Sequence, residues 1–334
     1  MTLVMLSSFF VLPISTADNG NARYTSKCGN PTPVLSYFSV VSGNGKVVVK
    51  TGKQTNVQVS VDNQLTWVNT EILSANALIF AAVNFDGSKI YVGDNAGGSK
   101  EHPNSGAAIW QSIDFGKTWT KENARPWNVF GNYGITGLAT SGDGNTIYFA
   151  ASDSHIYKSI DSGITWSIVP IDGYHQWTAL STSTSGKYLL VSAVDGAYFS
   201  KNYGLSSEKV LTFNGLSEVN QVSDDGRTLL VQEDFAGISH LSTDFGRTWS
   251  NFPGIAGGIA LSNDGEVVVA KVISPATGIW NWAYSETKRI KWKNIESLSG
   301  GESGIYFYLY VGIHVSHDAK VIILGNCTNT RLES

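Results

Sequence analysis

Charged side chains are scarce in this chain. Of its 334 residues only 15% are Asp, Glu, Lys or Arg, and the formal net charge is −4. A protein that binds nucleic acid needs a basic face, so this balance argues against a nucleic-acid partner. Apolar residues do not recur at helical spacing beyond the N-terminal segment, so we expect almost no helix.

Long apolar runs are equally rare. The one near the start, Leu3–Ile14, is about a dozen residues long, which is too short to span a bilayer. Small residues at Ser15 and Ala17 suit cleavage after Ala17. We interpret residues 1–17 as a signal peptide, with a buried N-terminal strand as the alternative. The mature protein is then expected to be secreted, or to lie in an organelle lumen, without a membrane span.

No calcium-binding loop of the EF-hand type is present, because no D-x-D-x-D-G stretch with a distal Glu occurs. We therefore expect neither a metal nor a cofactor. What the chain has in abundance is Gly (35 residues), Tyr (14) and Trp (10). This composition is typical of many short strands joined by tight turns, so the fold class is predicted to be all-β.

One octet recurs along the chain. It reads SIDFGKTW at 112–119, SIDSGITW at 159–166 and STDFGRTW at 242–249, and looser copies begin at Ser60, Ser200 and Ser285. We expect it to close a hairpin, with the Asp carboxylate accepting backbone N–H groups, the Gly in a left-handed conformation and the Trp packing between neighbouring units. Eight structural residues follow from this: Asp62, Asp114, Asp161, Asp244, Trp67, Trp119, Trp166 and Trp249.

A second motif alternates with the octet. It is a turn, mostly Asp-Gly or Asn-Gly, followed by an apolar run, and its copies begin at Ser42, Asn84, Ser141, Ser183, Ser223, Ser262 and Ser316. Such a pair between apolar segments is a strong hairpin signal. Each unit therefore contains four strands in about 40–50 residues, the period of a propeller blade. The sequence predicts a seven-bladed β-propeller of four-stranded antiparallel blades.

The octet resembles the Asp-box, or BNR repeat, of the sialidase-like β-propellers. In size the chain is similar to photosystem II stability and assembly factors of this superfamily. True sialidases use three convergent arginines and an Arg-Ile-Pro motif. This chain has six arginines, two of them (Arg227 and Arg247) in the turn motifs, and no Arg-Ile-Pro. The resemblance therefore implies the fold and not sialidase activity.

Residues 18–334 are expected to form the single propeller domain. Only one strand follows the seventh turn, so an N-terminal segment, residues 18–33, is predicted to add an outer strand to the last blade and close the ring. This would bring Cys28 close to Cys327, and in a secreted protein the pair is expected to form a disulfide. Two free buried thiols are the alternative.

Function is expected on the face opposite the octets, where the irregular loops lie. The residues expected to bind a ligand there are Trp127, Tyr133, His175, Trp177, Glu218, Tyr308 and Tyr310. Our first hypothesis is a monomeric, non-catalytic protein that binds a protein or carbohydrate partner. The alternative is a glycoside hydrolase or polysaccharide lyase, with Glu218 and His175 as candidate catalytic residues.

Overall fold

The computed structural model describes residues 9–13, 36–52, 56–62, 65–72, 78–94, 108–121, 134–233, 238–253, 255–273, 280–294, 313–315 and 321–325. Every regular element in these residues is a β-strand, so the all-β prediction is confirmed. No helix in the described ranges is long and apolar enough to cross a membrane.

Six antiparallel sheets contain four strands each, hydrogen-bonded in chain order. The first three sheets consist of β2 (Ser36–Val41), β3 (Val48–Gly52), β4 (Asn56–Ser60) and β5 (Val68–Glu71); β6 (Leu78–Val83), β7 (Ile90–Asp94), β8 (Ile109–Ser112) and β9 (Thr120–Lys121); and β10 (Ile135–Thr140), β11 (Ile147–Ala151), β12 (Ile156–Ser159) and β13 (Ser167–Ile168).

The next three sheets repeat this order. They consist of β14 (Trp177–Thr182), β15 (Leu189–Ala193), β16 (Gly196–Ser200) and β17 (Glu208–Leu211); β18 (Ser217–Val222), β19 (Leu229–Glu233), β20 (Ile238–Ser242) and β21 (Ser250–Pro253); and β22 (Ile255–Leu261), β23 (Val267–Ile273), β24 (Trp280–Glu286) and β25 (Arg289–Asn294).

A seventh sheet has three strands in the described part of the chain. Its order is β1 (Phe9–Pro13), β27 (Val321–Gly325) and β26 (Ile313–Val315). The strand beside β27 thus comes from the segment interpreted as a signal peptide, with Phe9 opposite Gly325. Residues 18–33, which were expected to supply this strand, lie outside the described residues, as do Cys28 and Cys327.

The first strands of successive sheets contact one another, so they form the inner edge of the assembly. The hydrophobic core lies between sheets rather than within one. Tyr91 of the second sheet, for example, shares a cluster with Ile135 and Phe149 of the third. Strands buried on both faces account for the nearly continuous apolar runs that follow each Asp-Gly or Asn-Gly turn.

The two turn motifs lie at one end of the sheets. Asp-Gly and Asn-Gly turns join first to second strands, and octets join third to fourth strands. In an antiparallel sheet these connections lie at the same end of the strands, and the loops between second and third strands lie at the opposite end. We call these the octet face and the loop face.

A β-bulge recurs where the first strand begins at the loop face. The register against the second strand shifts by one residue in five sheets, between Ser36 and Phe38, Leu78 and Phe80, Ile135 and Gly137, Trp177 and Ala179, and Ser217 and Val219. Bulges re-aim the residue that they contain and are over-represented beside functional sites. In the fifth sheet that residue is Glu218.

Candidate functional site

The octets are closed by a fixed set of hydrogen bonds. In the second sheet Asp114 Oδ1 accepts from Ser112 Oγ (2.8 Å) and from the backbone N–H of Thr118 (2.9 Å), and Oδ2 accepts from Thr118 Oγ1 (2.6 Å). Ser112 Oγ accepts from the backbone N–H of Gly116 (2.8 Å). The copies at Asp161 and Asp244 repeat these contacts to within about 0.1 Å.

Two successive residues of each full octet are left-handed. Phe115 has φ 63° and Gly116 has φ 81°, and the same holds for the pairs at Ser162 and Phe245. A Cβ on Gly116 would lie 2.5 Å from Cγ2 of Val59 in the preceding sheet. The glycine therefore meets two requirements, a left-handed backbone and close contact with the neighbouring sheet.

The Asp carboxylates of the octets accept hydrogen bonds within their own turns. The hydroxyl of Thr118, followed by its backbone N–H, lowers the pKa of Asp114 to about 2 against a weaker desolvation effect. Thr248 does the same for Asp244. The copy at Ser200 keeps the arrangement with Asn202 in place of Asp, since Asn202 Oδ1 accepts from the backbone N–H of Ser206 (3.0 Å). An amide serves in this position, so the geometry needs an acceptor and not an acid.

At the loop face, the third, fourth and fifth sheets each pair an acid near the end of the second strand with a ring on the third strand. Tyr157 donates to Asp153 Oδ2 (2.6 Å) and Tyr198 donates to Asp195 Oδ2 (2.7 Å). His240 Nε2 lies 2.6 Å from Glu233 Oε1. The three rings occupy equivalent positions, two residues before the octet serine.

The pair in the fourth sheet belongs to a larger network. His175 Nε2 lies 2.8 Å from the carbonyl oxygen of Asp172, and its Nδ1 lies 3.3 Å from Tyr198 Oη and 3.4 Å from Asp195 Oδ1. Lys209 Nζ donates to Asp195 Oδ2 (2.8 Å) from the adjacent strand. Both nitrogens of His175 therefore already have neighbours within the protein, and the ring is only 9% exposed.

The electrostatics of this network favour an ionised Asp195. Burial acts to raise its pKa, but hydrogen bonds from Lys209 and Tyr198 and the charge of Lys209 outweigh burial and bring the pKa to about 2. Burial, together with the bond to Asp195, raises the pKa of Tyr198 above its usual value. The network thus presents a fixed carboxylate beside a cation, each roughly one third to one half exposed.

Trp177 is the first residue of β14 and is 2% exposed, packed against His175 (ring centroids 4.8 Å apart) and Tyr198 (5.7 Å). The side chain that reaches solvent here is Tyr174, which is 83% exposed. Glu218 lies at the β18 bulge described above, and the neighbouring Ser217 stands opposite Glu233. Four other expected ligand residues lie outside the described part of the chain: Trp127, Tyr133, Tyr308 and Tyr310.

Asp195, Tyr198 and Lys209 were not among the site residues predicted from the sequence. A usable signal was present, because ASDSHIY (151–157) and AVDGAY (193–198) both place an acid shortly before a Tyr between two strands. Among the described residues, no group of three or more His, Cys, Asp or Glu side chains is arranged to hold a metal ion.

No family model and no curated protein matches this chain in sequence. Solved structures do resemble it. The GH74 xyloglucanase of Xanthomonas campestris superposes with a TM-score of 0.63 at 14% identity, over 96% of this chain, which spans only 53% of the length of that enzyme. YCF48, solved with a D1 peptide bound, gives a TM-score of 0.60 at 11% identity, covering 95% of this chain and 96% of YCF48. Both are β-propellers, and together with the six four-stranded sheets they show that this chain has a β-propeller fold.

Proposed function

We propose that this chain is a non-catalytic propeller that binds a protein or glycan partner through its loop face. One observation carries the proposal: three consecutive sheets hold their loop-face acids in hydrogen bonds to rings of the same sheet. Acids held in this way, with Lys209 and the exposed Tyr174 beside them, form a rigid polar and aromatic rim. Such a rim suits recognition, because its groups are ordered before a partner arrives.

We further propose a closed ring of seven blades in the sialidase-like superfamily, with the octets as its Asp-box repeats. The seventh turn motif and the three-stranded sheet β1–β27–β26 support the count. Contacts of β26 with both β22 and β2 support closure. We also propose secretion after cleavage at Ala17, which would remove β1 (Phe9–Pro13), so that residues 18–33 would take its place beside β27 and Cys28 would form a disulfide with Cys327. A mass measurement of the native protein with and without reductant tests the disulfide.

The binding proposal is tested by probing the folded protein against glycan and peptide arrays. The D1 peptide bound to YCF48 supports including peptides among the probes. Tyr174→Ala should abolish or strongly weaken any binding found. Tyr203→Ala is the matched control, since Tyr203 is also an exposed tyrosine (43%) but lies in an octet. Equal losses in both variants, or no loss in either, would contradict a loop-face site.

A specific observation favours a carbohydrate-active enzyme as the second candidate. Glu218 occupies a bulge on the inner strand of the fifth sheet, and the neighbouring residue faces Glu233 across the ladder. Glycoside hydrolysis requires two carboxyl groups that flank the scissile bond, and Glu218 and Glu233 both belong to the loop-face end of the fifth sheet. Release of reducing sugar from a polysaccharide, lost in Glu218→Gln and retained in Glu266→Gln on the octet face, would establish the enzyme and displace the first proposal.

A further inference from the structure

The outer strand of the sixth sheet differs from its counterparts. β25 has six residues, whereas the outer strands of the other five four-stranded sheets have two to four. It also contains Arg289, Lys291 and Lys293, while none of the other five contains more than one Lys or Arg. In a chain with a net charge of −4 this is a local concentration of positive charge.

The side chains of β25 alternate between its two faces. Ile290 and Trp292 are partly buried and pack against the cluster that includes Phe252 of the fifth sheet. The three cations between and beside them are exposed. Strand geometry therefore sets the cations on one face, with neighbours about 7 Å apart along the strand.

These cations are available to a partner. Lys288, in the preceding turn, pairs with Glu266 (3.2 Å), but no ion pair among the described residues involves Arg289, Lys291 or Lys293. The ammonium of Lys293 lies 5.7 Å from the ring centroid of Tyr284, on the neighbouring strand. Glu286 stands opposite Arg289 at the turn, so Lys291 and Lys293 lie farther along the strand from this carboxylate.

The outer backbone edge of β25 has no partner strand among the described residues. Among the described strands β25 pairs only with β24. The register of this pairing shifts between Tyr284 and Glu286. An unpaired edge is a template for another strand, and edge cations such as those of β25 discourage pairing with any strand that does not carry the opposite charge. A second copy of this chain is an unsuitable partner, because two such edges would place like charges opposite one another.

We propose that β25 binds an extended acidic peptide of a partner protein, which adds to the sixth sheet as a fifth strand. Peptide residues that lie opposite the cations should be Asp or Glu, at every second position. The peptide residues between them lie on the other face, beside Ile290 and Trp292, and should be apolar. The surface is separate from the Tyr174 rim, so this inference stands or falls independently of the proposed function.

The probe is a short synthetic peptide in which glutamate and valine alternate, titrated against the folded chain by fluorescence anisotropy. We expect saturable binding that weakens with added salt, and at least about a tenfold loss of affinity in the double variant Lys291→Glu, Lys293→Glu. The matched control is Lys46→Glu, Lys117→Glu, which changes the net charge equally at exposed octet-face sites and should keep the affinity. Thermal unfolding of both variants verifies that they fold, and Lys291→Gln, Lys293→Gln should bind with intermediate affinity.

Two further probes separate strand addition from simple charge attraction. A peptide with the same composition but grouped glutamates should bind more weakly, and so should the alternating peptide with N-methyl groups along one edge, which removes its backbone donors. Equal binding of all three peptides would overturn the proposal. So would equal losses in the two double variants, no binding at all, or displacement of the peptide by polygalacturonate at the same charge concentration.

Discussion

Lys50 is a buried cation at a position that is apolar in every other four-stranded sheet. It lies on β3, directly opposite Gln58 of β4. Gln58 is the residue two positions before the octet serine Ser60. The matching residues of the other sheets are all buried and apolar: Val92, Phe149, Val191, Val231 and Ala270. Lys50 is 8% exposed, and its ammonium lies 3.9 Å from the centroid of the Trp67 ring.

Burial lowers the pKa of Lys50 from 10.5 to about 8. Each pKa unit corresponds to about 1.4 kcal/mol, so keeping the charged form in the folded protein costs about 3 kcal/mol near pH 7. The cation–π contact with Trp67 offsets about 1 kcal/mol of this cost. Lys50→Met, which fills a similar volume without a charge, should therefore raise the free energy of unfolding by about 2–3 kcal/mol near pH 7.

The sign of the pH dependence follows from the direction of the shift. Between about pH 8 and pH 10.5 the unfolded chain holds more protons at Lys50 than the folded protein does, so the wild type gains stability as the pH rises. The methionine variant lacks this gain. The advantage of the variant should accordingly shrink from about 2–3 kcal/mol near pH 7 to about 1 kcal/mol near pH 9.5.

Urea unfolding of the wild type and the variant at several pH values measures both effects. Lys117→Met is the control, because Lys117 is exposed in an octet and its replacement should change stability by less than about 0.5 kcal/mol. A Lys50→Met variant that is less stable than wild type at neutral pH, or whose difference from wild type is independent of pH, would refute the reasoning.

Three further predictions concern the octets. Asp161→Ala removes the acceptor of three hydrogen bonds and should cost about 1–2 kcal/mol in urea unfolding, whereas Asp161→Asn, which copies Asn202, should cost less than half of that. Because the pKa of Asp114 and of Asp244 falls from 3.8 to about 2 on folding, the stability that they contribute should be intact above about pH 4 and lost progressively toward pH 2, as circular dichroism along an acid titration would show. Gly116→Ala, strained by its φ and by the contact with Val59, should lower the unfolding free energy by about 1–3 kcal/mol, and an unchanged midpoint would contradict that account.

The architecture was predictable because the residues of both turn motifs are determined by local backbone geometry and local hydrogen bonds. Asp-Gly and octet turns need particular residues at particular positions, so their copies mark strand boundaries wherever the chain folds. What the sequence did not reveal is the left-handed conformation at Phe115 and Phe245. Large non-glycine residues rarely adopt it, and here the hydrogen bonds of the neighbouring Asp and Ser compensate for its cost.

The candidate site was less predictable, since it depends on contacts between strands. His175 and Trp177 were expected as exposed ligand contacts in a loop, and the structure places both side chains in the interior. The register of β16 against β17 brings Tyr198 opposite Lys209, and that pairing cannot be read from either segment alone. Tyr174, between His175 and the left-handed Gly173, is the side chain directed to solvent.

Equivalent positions in the six four-stranded sheets narrow the proposed binding site to one part of the loop face. The residue two positions before the octet serine is Gln58, Trp110, Tyr157, Tyr198, His240 and Ala283 in the six four-stranded sheets. In the described residues it is bonded to an acid at the end of the second strand in the third, fourth and fifth sheets. Stability alone does not require these bonds, because Gln58 instead donates to Asn69 on the outer strand. A requirement of the fold would recur in every sheet, as the turn motifs do, whereas a requirement of binding is confined to one sector. Among the described residues the acid–ring pairs occur in the third, fourth and fifth sheets, and this sector includes both Tyr174 and the bulge at Glu218.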